Sequence, residues 1–256
     1  MLFRYIQFLL QSTNEHGVHS PFVFELYTRV IKASDPYYIF PEIEACRNLL
    51  LLSAEEIVVE DMGAGSKVNL SRKRKVKDIA RHSLKNTRTA QLLFRLVNYF
   101  NPQVIVELGT SLGISTLYLA SPNENASVYT FEGCPQTLAV AQKSFKHFGY
   151  THIVSVAGNI DQALPEQVAV IPQLDFVFFD ANHRLTPTLN YFNTCLAKSH
   201  PQSVFVFDDI YWSSEMAEAW KQIKAHPQVM LTIDLFYVGL VFFRKEQPKQ
   251  HFKLRF

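Results

Sequence analysis

From about Asn101 onward, short apolar runs alternate with segments of helix length whose apolar residues recur every three or four positions. The runs predict strands over Val104 to Leu108, Ser127 to Glu132, Ile153 to Ala157, Leu174 to Phe179, Ser203 to Phe207, Met230 to Leu235 and Val238 to Arg244. Helices are predicted to begin near Gly113, Pro135, Asp161, Thr186 and Ser213. Phe176-Val-Phe-Phe179 and Val204-Phe-Val-Phe207 are apolar at every position, as strands in the middle of a helix-covered parallel sheet are. Only Phe236 and Tyr237 separate the last two strands. A crossover helix does not fit there, so the pair predicts an antiparallel hairpin. The whole pattern is that of an α/β sandwich with a mostly parallel seven-stranded sheet.

Residues 1 to about 95 lack this rhythm. They read as a mainly helical region, with Phe3 to Leu10, Pro21 to Ile31, Glu42 to Ser53 and Lys77 to His82 as its helices, and Thr89 to Phe100 opening the next fold. The predicted division is therefore a helical cap over 1–95 and an α/β domain over 96–256. Val58-Val-Glu-Asp-Met-Gly-Ala-Gly-Ser66 has the look of a strand and glycine turn, but no helix-length apolar pattern follows. It reads as a loop or flap beside a site.

Composition narrows the class. With 48% apolar and 19% charged residues, including 21 Phe and 11 Tyr, the chain of 256 residues is globular and long enough to bury a substantial core. No run of about 18 apolar residues is present, and Arg4 and Gln7 interrupt the first apolar stretch, which predicts a cytoplasmic protein that does not span a membrane. Cys46, Cys134 and Cys195 are few, odd in number and far apart, so they read as reduced packing residues. The net charge of +2 is unevenly spread: Lys67, Arg72 to Lys75, Lys77, Arg81, Lys85 and Arg88 crowd one segment against Asp78 alone. Such a segment is a solvated loop, or it attracts nucleic acid, an anionic substrate or an acidic partner. No aromatic residue interleaves it, as a single-strand stacking surface would favour.

The most informative stretch is Val104-Ile-Val-Glu-Leu-Gly-Thr-Ser-Leu-Gly-Ile-Ser115, a buried strand running into a glycine turn with an acid two residues before the first glycine. The dinucleotide pattern G-x-G-x-x-G is absent, which weakens a nicotinamide oxidoreductase reading. The observed E-x-G-x-x-x-G-x-S resembles motif I of the class I S-adenosylmethionine (SAM) methyltransferases, a Rossmann-like fold whose sheet ends in a hairpin. That resemblance implies that Glu107 neighbours the methionine ammonium group and that Gly109, Thr110, Ser111 and Gly113 form the loop the cofactor approaches. It also implies that Ser115 contacts the methionine carboxylate. Glu132 ends the next strand roughly 20 residues on, where a carboxylate accepts from ribose hydroxyls. Asn159, in Gly158-Asn-Ile-Asp161, is either an adenine contact or a turn former.

Two later strand ends also carry acids: Asp180 in Phe178-Phe-Asp-Ala-Asn-His183, and Asp208-Asp209 in Phe205-Val-Phe-Asp-Asp-Ile210. In a parallel sheet such ends share the ligand-binding edge. The motif order resembles the catechol and caffeoyl-CoA type O-methyltransferases, and this implies that Asp180, Asp208 and Asp209 hold Mg²⁺ or another divalent cation, with Asp180 also facing the cofactor. The catechol branch has Lys three residues after the first of these acids, whereas this chain has His183, a residue suited to act as base, ligand or structural hydrogen-bonding group. His16-Gly-Val-His-Ser-Pro-Phe-Val-Phe24, together with the two glycine segments, resembles a group of bacterial class I methyltransferases over nearly the full chain. His16 and His19 either reach the active site from the cap or serve packing and surface roles; Gly17 and Pro21 rule against one helix carrying both.

The expectation is a SAM-dependent methyltransferase acting on an oxygen of a small hydroxylated acceptor, with Asp180 and His183 as its acid/base groups. An oligomer fits equally well. A nucleic-acid methyltransferase using segment 67–88 is an alternative, although no Asn/Asp-Pro-Pro-Tyr/Phe motif follows the fourth strand. The other is a SAM-binding or partner-binding protein without turnover.

Overall fold

The computed structural model describes residues 2–60, 72–246 and 248–256. The chain opens with α1 (Leu2–Gln11), a short 3₁₀ turn at Glu15–Gly17 and α2 (Pro21–Leu26), which runs on into a π-type turn over Tyr27–Ile31. Ser20 caps α2 by accepting from Val23 N, and Pro21 occupies the first turn, where its missing N–H costs nothing. Next come α3 (Phe40–Leu52), β1 (Glu56–Val58), β2 (Lys73–Lys75), α4 (Val76–Ser83) and α5 (Thr87–Phe100). Asn86 caps α5, and Asn101, left-handed at φ 46°, ends it.

The alternating part follows as β3 (Val104–Leu108), α6 (Ile114–Ala120), β4 (Ser127–Glu132), α7 (Pro135–His147), β5 (Ile153–Ala157), α8 (Ile160–Val170) and β6 (Leu174–Phe179). It continues through α9 (Leu185–Leu196), β7 (Ser199–Asp208), α10 (Ser214–Ala225), β8 (Leu231–Asp234), β9 (Val238–Phe242) and β10 (Gln250–Lys253). The first four strands match the predicted bounds. β7 starts four residues earlier than expected, with a register irregularity against β6 between Leu174 and Phe176.

The chain forms two compact units, Asp35–Gln167 and the pair of segments Met1–Ser34 and Val168–Phe256. In the first unit, β3, β4 and β5 lie side by side in that order, all parallel, with Val104 opposite Ser127 and Val128 opposite Ile153. Their core gathers Phe40, Ile43, Phe94, Leu117, Tyr118 and Phe145 from the surrounding helices. β1 and β2 make a separate antiparallel pair with Ile57 opposite Arg74, where the sequence predicts only a loop.

In the second unit the strand order is β10-β8-β9-β7-β6. β6 runs parallel to β7, and β9 runs antiparallel to both β7 and β8, which confirms the hairpin. β10 lies parallel to β8, with Lys253 opposite Asp234. The two sets together contain eight strands where seven are predicted. The additional one, Gln-His-Phe-Lys, is too short and polar to stand out by pattern. Phe179 and Phe207 stack at 4.2 Å, and Phe176, Phe178 and Phe205 are fully buried, consistent with strands covered on both faces. Among the described residues no helix is long and apolar enough to cross a membrane.

Candidate active site

In the 35–167 unit, three loops leave the carboxyl edge of β3, β4 and β5. The first is set by backbone geometry: Gly109, Ser111 and Gly113 have φ of 99°, 48° and 84°. Gly109 N and Thr110 N both donate to Phe131 O at 3.0 Å, and Gly113 N closes the turn on Thr110 O at 2.9 Å. At Gly113 a Cβ would stand 2.7 Å from Phe145 Cε1 and 2.9 Å from Ala141 Cβ. Its glycine character therefore serves the close approach of α6 to α7 as well as the turn.

Glu107 is fully buried beneath this loop. Its Oε2 accepts from Thr116 Oγ1 at 2.5 Å and Thr130 Oγ1 at 2.7 Å, and the Thr130 hydroxyl also meets that of Thr110 at 2.6 Å. The carboxylate thus holds β3, β4, the loop and α6 in one polar network. Ser115 is buried in the first turn of α6. Glu132 spans two turns, with Oε2 accepting from Ser111 N and Oε1 from Cys134 N, each at 2.9 Å. Carboxylate oxygens are acceptors of the kind that ribose hydroxyls donate to. Asn159 acts as the turn former: its Oδ1 accepts from Asp161 N at 3.0 Å and its carbonyl from Gln162 N and Ala163 N, starting α8.

In the other unit, the edge beyond β6 and β7 is strained and acidic. Asn182, His183 and Asp209 have φ of 65°, 37° and 52°, left-handed values that non-glycine residues seldom adopt. His183 Nε2 lies 3.5 Å from Asp180 Oδ1, and His183 N donates to Ala181 O at 2.8 Å. Burial pulls the His183 pKa down. The hydrogen bond to Asp180 and the charges of Asp180, Asp208 and Asp209 outweigh it and hold the imidazole above its ordinary value. Asp208 is buried at the end of β7, whereas Asp209 begins the next loop. Asn182 donates from Nδ2 to Tyr191 OH at 3.4 Å, and its Oδ1 is buried with no hydrogen-bond partner among the described residues.

The three acids and His183 are therefore electrostatic neighbours. They do not build the cation cage that the resemblance implies, because among the described residues no group of three or more His, Cys, Asp or Glu side chains is arranged to hold a metal.

Residues 106–210 match the family described as "Methyltransferase domain". The matched stretch runs from within β3 to just past β7. Among solved structures, cofactor-bound Rv0187 from MTB is 18% identical, with 88% of this chain and 96% of that one covered and a TM-score of 0.59. An O-methyltransferase from Bacillus cereus in complex with SAH is 17% identical, covering 82% and 93%, with a TM-score of 0.58. TomG from Streptomyces achromogenes, an O-methyltransferase of tomaymycin synthesis in complex with SAM, is 19% identical, covering 63% and 82%, with a TM-score of 0.55. These likenesses show the α/β fold that the chain shares with those proteins.

Three residues of the two regions described escape a reading of the sequence. Cys134, which reads as packing, accepts at Sγ from Glu60 N at 3.4 Å and lies 3.5 Å from Val58 O, tying the end of β1 to the turn after β4. Ser83, at the end of α4, meets the Ser111 hydroxyl at 2.8 Å. Asn182 has only its place between Asp180 and His183 to betray it. His16 and His19 are both exposed, in and after the 3₁₀ turn, and no helix joins them. Of the basic segment, Arg72, Lys73, Lys75, Arg81 and Arg88 are exposed, with Arg81 3.6 Å from Asp78. Lys67 and the 61–66 portion of the second glycine segment lie outside the described residues.

Proposed function

We propose that the protein transfers the methyl group of SAM to an oxygen of a small hydroxylated acceptor, with His183 receiving the acceptor proton. The cofactor belongs to the loops of the 35–167 unit. Glu107 fixes the loop through Thr116 and Thr130, Gly109 to Gly113 admit the methionine end, Ser115 meets its carboxylate, and Glu132 accepts from the ribose. Asn159 already spends Oδ1 on its cap, so its amide nitrogen is the group left for adenine.

The observation that carries the acceptor assignment is the imidazole of His183 set against Asp180, within the field of Asp208 and Asp209, on a strained strand edge. Asp180 on Nε2 favours the tautomer protonated there and leaves the Nδ1 lone pair for the acceptor hydroxyl. The acceptor oxygen forms its bond to the methyl carbon as the carbon–sulfur bond breaks, and that electron pair returns to sulfur. The proton ends on His183 as imidazolium, which the three carboxylates stabilise. Asn182 Oδ1 supplies a hydrogen-bond acceptor for orienting a hydroxyl. Alignment of oxygen, carbon and sulfur contributes much of the acceleration, worth up to about 7 to 11 kcal/mol in favourable systems. The donor set does not fit a divalent cation, and no step is routed through one.

Two measurements test this. Calorimetric titration with SAM and S-adenosylhomocysteine is expected to show one saturable site, weakened at least tenfold in Glu132→Ala. Transfer of labelled methyl to a panel of phenols, catechols and aliphatic alcohols is expected to be lost in His183→Ala while SAM binding persists. Well-folded protein that binds neither adenosyl ligand ends the cofactor assignment, and full turnover in His183→Ala ends the role given to that residue.

A further inference from the structure

The His-Gly-Val-His-Ser-Pro-Phe segment has no part in the methyl-transfer reading, yet with β10 it walls two adjoining cavities in the unit made of 1–34 and 168–256. One, of 450 Å³, lies among Gln11, Thr13, Lys224, Thr232, His251 and Lys253. The other, of 460 Å³, reaches His19, Ser20 and Gln250 and shares Gly17, His251 and Phe252 with the first. A Cβ on Gly17 would fall 2.0 Å from Thr13 Oγ1, so only glycine lets the chain approach so closely at this wall.

The polar groups around this space are mostly cationic or neutral donors. Lys224, in the last turn of α10, is partly buried and lies 5.7 Å from the Trp220 ring centroid. Lys253 Nζ donates to the neutral Gln11 Oε1 at 2.5 Å. His251 Nδ1 and Thr232 Oγ1 are 2.8 Å apart. Asp234 is the one acid among the lining residues, and it is occupied elsewhere: Oδ2 accepts from Tyr211 OH at 2.5 Å and Oδ1 from Phe236 N at 2.9 Å. Among the described residues no ion pair within 4 Å joins it, or any other carboxylate, to Lys224 or Lys253. The groups also feel one another. Burial lowers the Lys224 pKa, the charge of Asp234 opposes that, and Lys253 adds a smaller lowering; burial first, then Lys224 and Lys249, lower that of His251. Two ammonium groups against one carboxylate in a concave, partly desolvated space leave a local excess of positive charge that attracts an anion.

We propose that this cleft binds a small molecule through a phosphate or diphosphate group, held by Lys224 and Lys253 with the Thr13 and Thr232 hydroxyls and the His251 ring as neutral hydrogen-bonding partners. Ammonium groups bind phosphate as point charges, and hydroxyls complete its shell. The volume is in the range of small-molecule sites. The site is separate from the one assigned to SAM, so neither assignment rests on the other.

The test is calorimetric titration of the full chain with inorganic pyrophosphate at low ionic strength, with citrate as a second arm. The expected result is one saturable pyrophosphate site, weakened at least tenfold in Lys224→Met and in Lys253→Met. Lys221→Met, on the exposed face of α10, is expected to bind as the wild type does. Because either variant could misfold, pyrophosphate protection of the wild-type lysines from amine-reactive labelling, read by mass spectrometry, gives an independent result: Lys224 and Lys253 protected, Lys221 labelled. Absence of saturable binding by folded wild type, equal weakening in all three variants, unprotected Lys224 and Lys253, or a preference for citrate overturns the proposal.

Discussion

Replacing Gly113 by alanine separates two physical costs that a second glycine allows to be measured apart. At Gly113 the backbone is left-handed, φ 84°, and the added Cβ meets Phe145 Cε1 at 2.7 Å and Ala141 Cβ at 2.9 Å. At Gly149 the backbone is also left-handed, φ 70°, but nothing lies within 4 Å of the added carbon. Both positions belong to the 35–167 unit, so one unfolding transition reports both. The left-handed conformation costs an L-residue about 1–2 kcal/mol, which is the expected loss in Gly149→Ala. Overpacking adds about 1–3 kcal/mol at Gly113, because Phe145 is buried and the Ala141 methyl cannot rotate away. Gly113→Ala is therefore expected to lose about 2–5 kcal/mol, and each kcal/mol lowers the melting temperature by about 2–4 °C in a chain of this size. Urea unfolding followed by circular dichroism reads the difference directly. Losses in the two variants that agree within experimental error would refute the claim that contact with α7, beyond the turn itself, requires glycine at this point.

Three further outcomes follow from the site. Asn159→Ala removes the acceptor for Asp161 N and is expected to cost about 1 kcal/mol of stability, while a fall in SAM affinity measured alongside reports the separate adenine contact. Thr130→Val deletes one of two hydroxyl donors to buried Glu107 and is expected to cost about 1–3 kcal/mol in urea unfolding; an unchanged midpoint contradicts the network described. The raised His183 pKa fixes the sign of two pH effects. Its contribution to stability is complete below the unfolded value of about 6.5 and is lost as pH rises through the folded value, so the stability advantage over His183→Gln shrinks from acid to alkaline pH. The base form grows over the same range, and methyl transfer is expected to rise with it; a rate that falls through that range removes His183 as base.

Legibility in the sequence followed periodicity. β3 to β6 are apolar runs between clear turns, and their bounds are readable to the residue. β10 and the β1–β2 pair are short, polar or charged, and only a partner strand makes them strands. The glycine loop was visible because its backbone must take positive φ, but the positive φ of Ser111, Asn182, His183 and Asp209 is imposed by tertiary context and leaves little trace in residue type. Three acids at strand ends were equally visible. Among the described residues no group of three or more His, Cys, Asp or Glu side chains is arranged to hold a metal, and residue spacing alone does not fix how side chains are arranged beyond a strand end. The helical reading of residues 1–95 rests on the missing alternation there, whereas the units 35–167 and 1–34 with 168–256 reflect tertiary pairing, which periodicity does not report.

The unit that joins 1–34 to 168–256 bears on how the protein is made. Gln11 and Lys253, whose side chains bond, are 242 residues apart in sequence, and Thr13 bridges to Leu254. During synthesis at about 5–20 residues per second, the first helices leave the ribosome at least ten seconds or so before β8 and β10 exist to receive them. The apolar faces of Phe8, Val23, Leu26 and Tyr27, all buried in the folded protein, spend that interval in water. The 35–167 unit draws on one continuous stretch, but its companion must await β10. Pairing across such a separation is slow. Holdase chaperones should therefore engage nascent chains through residues 2–31 and release them only after β10 has emerged.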